Sequence, residues 1–160
     1  MAKFDLVIAI DGTAASGKGT ISKKIAQNYS VPHLDTGRLY RFVGYKVLKG
    51  FDPVSAADQL SMSEMEALDL KTLKVSNAAS EVAKNPLVRA KLLEFQRSFA
   101  SQPGGAVLDG RDIGTVICPN ADIKFFISAS AEIRAKRRYQ ELVGLGYSIL
   151  FNKVLKEIQE

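Results

Sequence analysis

The sequence predicts an α/β protein: a mostly parallel sheet flanked by helices. Three observations carry that prediction. Phe4 to Ile10 is an apolar run broken only by Asp5, as expected of a strand buried on both faces. A glycine-rich turn at Gly12 to Gly19 and a helical stretch follow it, which is how a βαβ unit opens. Short apolar strands then keep alternating with longer helical patterns to the end of the chain.

After the glycine turn, Ile21, Ile25 and Tyr29 fall on one face of a predicted helix. His33, Leu34 and Asp35 end a short second strand. Thr36 is then expected to cap a helix running to about Lys49, with Leu39, Phe42, Val43 and Val47 inward and Gly50 as its stop. Ser61 with Glu64 reads as a capping box. Ser76 to Lys84 reads as helical. Asn85-Pro86 opens a helix whose stripe is Val88, Leu92, Phe95 and Phe99, and Pro103-Gly104-Gly105 ends it. Ala106 to Leu108 is a strand leading into Asp109, and Ile123 to Ile127 is another. Ser130 caps a helix to about Val143 that Gly144 and Gly146 break. Ser148 is expected to start a last helix carrying Phe151, Leu155 and Ile158. Helices outnumber strands enough to predict a helical side lobe.

Length and composition bound what such a fold can be. The chain has 160 residues, 46% hydrophobic and 24% charged, enough for one globular domain and its core. No apolar run approaches a membrane span, and the N-terminus lacks a small-residue cleavage site, so no membrane partner and no secretory route are expected. Cys118 is the sole cysteine and is read as a packing residue. With no Cys/His cluster to hold zinc, a cytoplasmic location is the default. Lys and Arg number 22 against 17 Asp and Glu, an excess that favours anionic partners. Aromatics are not interleaved with the basic residues, so nucleic acid is not the expected partner.

The most informative segment is Gly12-Thr13-Ala14-Ala15-Ser16-Gly17-Lys18-Gly19-Thr20. It fits G-x-x-x-x-G-K, with a strand before it and an amphipathic helix after. Glycines let successive N–H groups turn inward on phosphate oxygens, and the helix aims its N-terminus at the same anion. Lys18 supplies a point charge for the outer phosphates. Gly19 stands where many such loops carry Ser or Thr, and the hydroxyl of Thr20 directly after it is the candidate magnesium contact. A GTPase switch is disfavoured, because Asn152-Lys153-Val154-Leu155 lacks the base-reading Asp.

A second anion site is expected opposite this loop. Arg41, in Asp35-Thr36-Gly37-Arg38-Leu39-Tyr40-Arg41, lies one helical turn beyond the second strand. Asp109-Gly110-Arg111-Asp112 follows the third, where a carboxylate can support magnesium and Arg111 can clamp a phosphate. Taken alone, Arg41 also reads as a surface arginine, and Arg111 as half of a surface ion pair. The basic run Arg134 to Arg138 reads as a solvated helix face, or as a lid hinged at Gly144-Leu145-Gly146. His33, the only histidine, is read as a packing or capping residue rather than a general base. Two phosphates brought face to face imply phosphoryl transfer, which needs alignment and positive charge more than covalent help.

The segments IAIDGTAASGKGT, LDTGRLYR, VSNAASEVAKNPLVRAKLLEFQRSFA and GAVLDGRDIGTVICPNADIKFFI together resemble the bacterial cytidylate kinases. The resemblance covers well over half the chain. It implies a P-loop nucleoside-kinase-like fold and transfer of the ATP γ-phosphate to CMP or dCMP with Mg2+. It implies that Lys18 and the loop amides bind ATP, and that Arg41 and Arg111 hold the CMP phosphate. Ser80, Arg89 and Asp112 would read cytosine, with Thr36 nearby. It implies one domain over residues 1–160, with a core at about 1–35 and 104–130. A monophosphate-binding lobe would span about 36–103, and a short lid with the C-terminal helices about 131–160. A monomer is expected. The chain departs from the family in two places. Lys71 to Lys74 join their flanking helices directly where the family carries a β-rich insert, and relatives continue past Glu160 into further lid, strand and helix. Two alternatives therefore stand beside the main reading: a P-loop kinase for another small acceptor, and a nucleotide-binding form without turnover.

Overall fold

The computed structural model describes residues 5–160. Four strands, β1 (Val7–Gly12), β2 (His33–Asp35), β3 (Ala106–Gly110) and β4 (Ile123–Ile127), form one parallel sheet in the order β2-β3-β1-β4. Among the described residues the first strand runs from Val7 through Asp11 to Gly12, and Phe4 of the expected run lies outside them. Eight α-helices complete the fold: α1 (Lys18–Tyr29), α2 (Thr36–Leu48), α3 (Pro53–Asp58), α4 (Met62–Ala67), α5 (Leu73–Val82), α6 (Pro86–Ala100), α7 (Ala131–Gly144) and α8 (Phe151–Gln159).

The two-residue period of the strands divides the core between the faces of the sheet. Ile8, Ile10 and Val107 pack against Ala26 of α1 on one face. Ala9, Leu108 and Leu34 point the other way, into a larger core with Leu39, Phe42 and Val43 of α2 and Val88 and Leu92 of α6. The helical lobe therefore shares its core with the sheet. By contrast, α7 and α8 form a hairpin with a small core of their own, Ala135, Leu142 and Val154. That hairpin touches the lobe where the Tyr147 hydroxyl accepts the Leu73 N–H at 3.0 Å. Among the described residues, no helix is long and apolar enough to cross a membrane.

Several expectations are corrected by packing. On α1, Ile21 and Tyr29 have helical spacing but stand exposed, and the small residues Ser22 and Ala26 are the buried ones. Thr36 is not the cap of α2. Asp35 caps it, accepting the Arg38 N–H at 3.2 Å, and the Thr36 hydroxyl instead donates to the Asp109 carbonyl at 2.8 Å. The helix expected at Ser76 begins earlier, at Leu73, because Thr72 accepts the Val75 N–H. The last helix begins at Phe151, with no side-chain cap, rather than at Ser148. Helix α3 was not expected, although Asp52-Pro53 is a local signal for it, with Asp52 accepting the Ser55 N–H at 2.8 Å. Ile113–Ile117 forms a π-helical turn that no periodicity announces. Strand β4 is an edge strand with Phe125 and Phe126 exposed.

Candidate active site

The strands end together, and the loops that leave them carry the candidate chemistry, as expected of the crevice beyond the carboxyl ends of a parallel sheet. The loop from β1 curls through two left-handed residues, Ala15 (φ 58°) and Gly17 (φ 94°). Glycine suits the second because a side chain there is strained. Gly12 is needed for a different reason: a Cβ there would overlap the Ile127 carbonyl, so this glycine lets β4 lie against the end of β1.

The turn leaves the N-terminus of α1 open. Helices α2 to α7 each have a side chain accepting a first-turn N–H, whereas Gly17 offers none to α1. The first N–H groups of α1 therefore stay available to an anion. Ser16 Oγ is buried in the same loop without a hydrogen-bond partner. Lys18 Nζ donates to the Thr13 carbonyl at 3.2 Å and so folds back over the loop. Arg137 of α7 reaches the loop from outside, its Nη1 donating to the Ala15 carbonyl at 3.1 Å. Only part of the basic run is therefore a solvated face.

Burial holds the Lys18 ammonium below the ordinary lysine range, and the charges of Arg111 and Arg41 push it the same way, while Asp109 and Asp35 oppose them. The charges of residues on β2, α2, β3 and the turn after β3 thus all bear on one ammonium. Arg41 pairs with Asp35 at 2.7 Å, leaving its Nε buried and without a partner. Arg111 is exposed and forms no ion pair among the described residues. Its loop is braced from β1, because Asp11 accepts the Ile113 and Gly114 N–H groups at 2.7 and 2.8 Å.

Farther along the crevice Arg89 and Asp112 approach to 3.8 Å. Tyr40 completes this group. Burial lifts its phenol above the ordinary range, with Arg89 lowering it and Asp112 raising it. Ser80 is not joined to the pair by a hydrogen bond: it sits exposed on α5 and bonds back to the Ser76 carbonyl at 3.2 Å. Tyr40 is not among the residues the sequence singles out, whereas Arg137 belongs to the basic run read as a solvated face or a lid. For Tyr40 the available signal was its place between Leu39 and Arg41, on the helix that carries the anion candidates. Asp109 is buried, and His33 lies 2.5 Å from its Oδ2. Cys118 is half-buried, and burial raises its thiol pKa, so it stays a packing thiol.

The arrangement has a glycine turn before an uncapped helix start, a lysine on which two arginine charges act, and a carboxylate–guanidinium pair. The cytidylate kinase family description matches residues 8–72 and 61–160. The chain is 53% identical over 153 residues to the cytidylate kinase of Cereibacter sphaeroides, covering 96% of this chain and 74% of that protein. It is 51% identical over 161 residues to that of Xanthobacter autotrophicus, covering 97% and 77%. The chain belongs to the cytidylate kinase family. The two stretches matched by the cytidylate kinase family overlap at residues 61–72, next to the junction where an insert was expected to be missing. Among solved structures, an uncharacterized protein from Eubacterium ventriosum aligns with a TM-score of 0.52 at 18% identity, covering 96% of this chain and 69% of that one, and so shares the fold alone.

Proposed function

We propose that this chain transfers the γ-phosphoryl group of ATP to CMP or dCMP, giving CDP or dCDP. The observation that supports the reading is the helix N-terminus left without a cap at the glycine turn, with Lys18 folded over that turn and Ser16 Oγ buried in it without a partner. The loop from Gly12 to Thr20 would hold the ATP phosphates with its amides, with Ser16 Oγ and with Lys18. Arg41 and Arg111 would hold the acceptor phosphate. Arg41 then exchanges Asp35 for that phosphate, keeping a bidentate-capable fork on an anion throughout. Arg89, Asp112 and Ser80 would read the base, with Thr36 nearby. A carboxylate at Asp112 suits the exocyclic amine of cytosine, which donates, and repels the corresponding carbonyl of uracil, which accepts.

The acceptor oxygen is already an anion, so no general base is needed. Positive charge lets two phosphates of like charge approach in line, and Lys18, Arg41 and Arg111 would supply it. The same crowding of cations adds to burial in depressing the Lys18 pKa, and incoming phosphates relieve it. Among the described residues no group of three His, Cys, Asp or Glu side chains is placed to hold a metal. A magnesium ion would thus arrive on the nucleotide phosphates. Thr20, exposed in the first turn of α1, and the buried carboxylate of Asp109 are the residues that fit such a guest. Thr20 and Asp109 would hold such an ion, which would supply positive charge against the negative charge of the phosphates. We read the chain as one monomeric cytoplasmic domain, with sheet core, monophosphate lobe and lid.

Coupled detection of ADP with CMP, dCMP, UMP and AMP as acceptors tests the reading. CMP and dCMP should be phosphorylated in preference to UMP and AMP. Preference for another acceptor would replace the substrate assignment. Calorimetric binding of ATP and CMP without product would replace the enzyme by a nucleotide-binding form.

A further inference from the structure

Asp109 pairs in register with Ile10, two residues before β1 ends at Gly12 and the phosphate loop begins, and its charge raises the Lys18 pKa against burial. It is 2% exposed and held from two positions, His33 at the start of β2 and Thr36 at the start of α2. Its backbone carbonyl accepts the Thr36 hydroxyl at 2.8 Å, and its Oδ2 faces His33 Nε2 at 2.5 Å. The parallel register places Asp35 directly beside Asp109 and His33 beside Val107, so His33 reaches the carboxylate diagonally across the two strands. A carboxylate this deeply buried needs its lone pairs satisfied, and a wrongly turned one would carry its charge away from Lys18. Thr36 fixes where Asp109 sits, and His33 fixes how its carboxylate is turned.

We infer that His33 is a positioning residue of the phosphotransfer site, whose Nε2–H locks Oδ2 of Asp109 so that the carboxylate keeps its bearing on the phosphate loop. The inference rests on the phosphotransfer reading above, and it concerns kcat rather than substrate binding, because His33 touches neither of the arginines assigned to the acceptor. It depends on a donor at one atom, not on bulk. A glutamine places its amide nitrogen near the position of His Nε2, whereas leucine fills similar space with no donor.

Steady-state kinetics of His33→Leu and His33→Gln, alone and with Asp109→Asn, test it. His33→Leu should lower kcat about tenfold with the KM for CMP nearly unchanged. His33→Gln should recover most of that loss. In the Asp109→Asn background His33→Leu should cost little more, since the charge it orients is gone. Should His33→Leu fail to fold, His33→Asn takes its place, being polar but too short to reach Oδ2. Equal losses for Leu and Gln, or losses that multiply with Asp109→Asn, would overturn the inference. A second readout does not need turnover. His33 is the only imidazole in the chain, so ligand-free wild-type protein should show one protected downfield ring N–H resonance that Asp109→Ala abolishes. A chain with that resonance but no phosphotransfer would fail as a kinase while keeping the hydrogen bond. A chain with phosphotransfer but no such resonance would fail the inference alone.

Discussion

Asp11 accepts the backbone N–H of Ile113 at 2.7 Å, tying the end of β1 to the loop that carries Arg111 and Asp112. Its other oxygen accepts the Gly114 N–H at 2.8 Å, so one buried carboxylate satisfies two donors of the π-helical turn. The phosphate loop grows from the same strand. The Asp11 side chain therefore adds to the β1–β3 pairing in holding the phosphate loop and the Arg111 loop relative to each other. Asp11→Ala should strand two buried N–H groups and cost about 2–4 kcal/mol of stability. Asp11→Asn, which keeps one acceptor, should cost less. Thermal melts would measure this, and acceptor KM should rise in the order wild type, Asn, Ala. Melting temperatures that do not separate the three proteins would remove Asp11 as a brace.

Lys18→Met should abolish turnover and leave the fold intact. The depressed Lys18 pKa adds a prediction about stability. A folded-state pKa below the unfolded value means that folding disfavours the ammonium. That penalty is present at neutral pH and fades as pH rises through the folded value toward the unfolded one. Lys18→Met should therefore melt slightly higher than wild type near pH 7, with the difference shrinking in alkaline buffer. A variant that melts lower at pH 7, or that keeps near-normal rates, would contradict the place given to this lysine.

What was legible in the sequence was local. The phosphate loop, the Asn85 cap before Pro86, and the Ser61 and Ser130 caps are patterns within a few residues, and backbone geometry dictates them directly. The interactions that assemble the site are not local. Asp11 and Ile113 are 102 positions apart, His33 and Asp109 are 76, and Arg137 and Ala15 are 122. No periodicity encodes which loops a sheet order brings together. The wrong face of α1 has a similar origin. Ile21 and Tyr29 satisfy the helical period, but the helix meets the sheet through Ser22 and Ala26, because small side chains permit a closer approach. Arg41 and Arg111 were singled out by their place after strand ends, and the Asp35 partner of Arg41 is local enough to be read there too.

Asp112 pairs with Arg89 at 3.8 Å, a separation loose enough for both groups to turn toward a ligand. Asp112→Ala should weaken the preference for CMP over UMP by roughly tenfold to a hundredfold, the range of a lost hydrogen bond to a base edge. The effect should lie in the ratio of kcat/KM values and not in the ATP KM. Unchanged relative rates for the two acceptors would take Asp112 out of the base site.

Arg137 stands on a helix whose hairpin has its own small core, yet its guanidinium lies on the phosphate loop. The Ala15 carbonyl is a weak partner for a full charge. A triphosphate seated in the same loop offers anionic oxygens within reach of the same side chain, so binding of ATP should draw Arg137 from carbonyl to phosphate. The exchange would make the lid hairpin sense the donor. Arg137→Met should then raise the ATP KM and lower kcat/KM for ATP about tenfold to a hundredfold, the worth of one charge-assisted hydrogen bond. The KM for CMP should hold, since that site lies across the crevice. The melting temperature should also hold, because the substitution removes only one exposed hydrogen bond, to the Ala15 carbonyl. An ATP KM equal to wild type would reduce Arg137 to a strut beneath the loop.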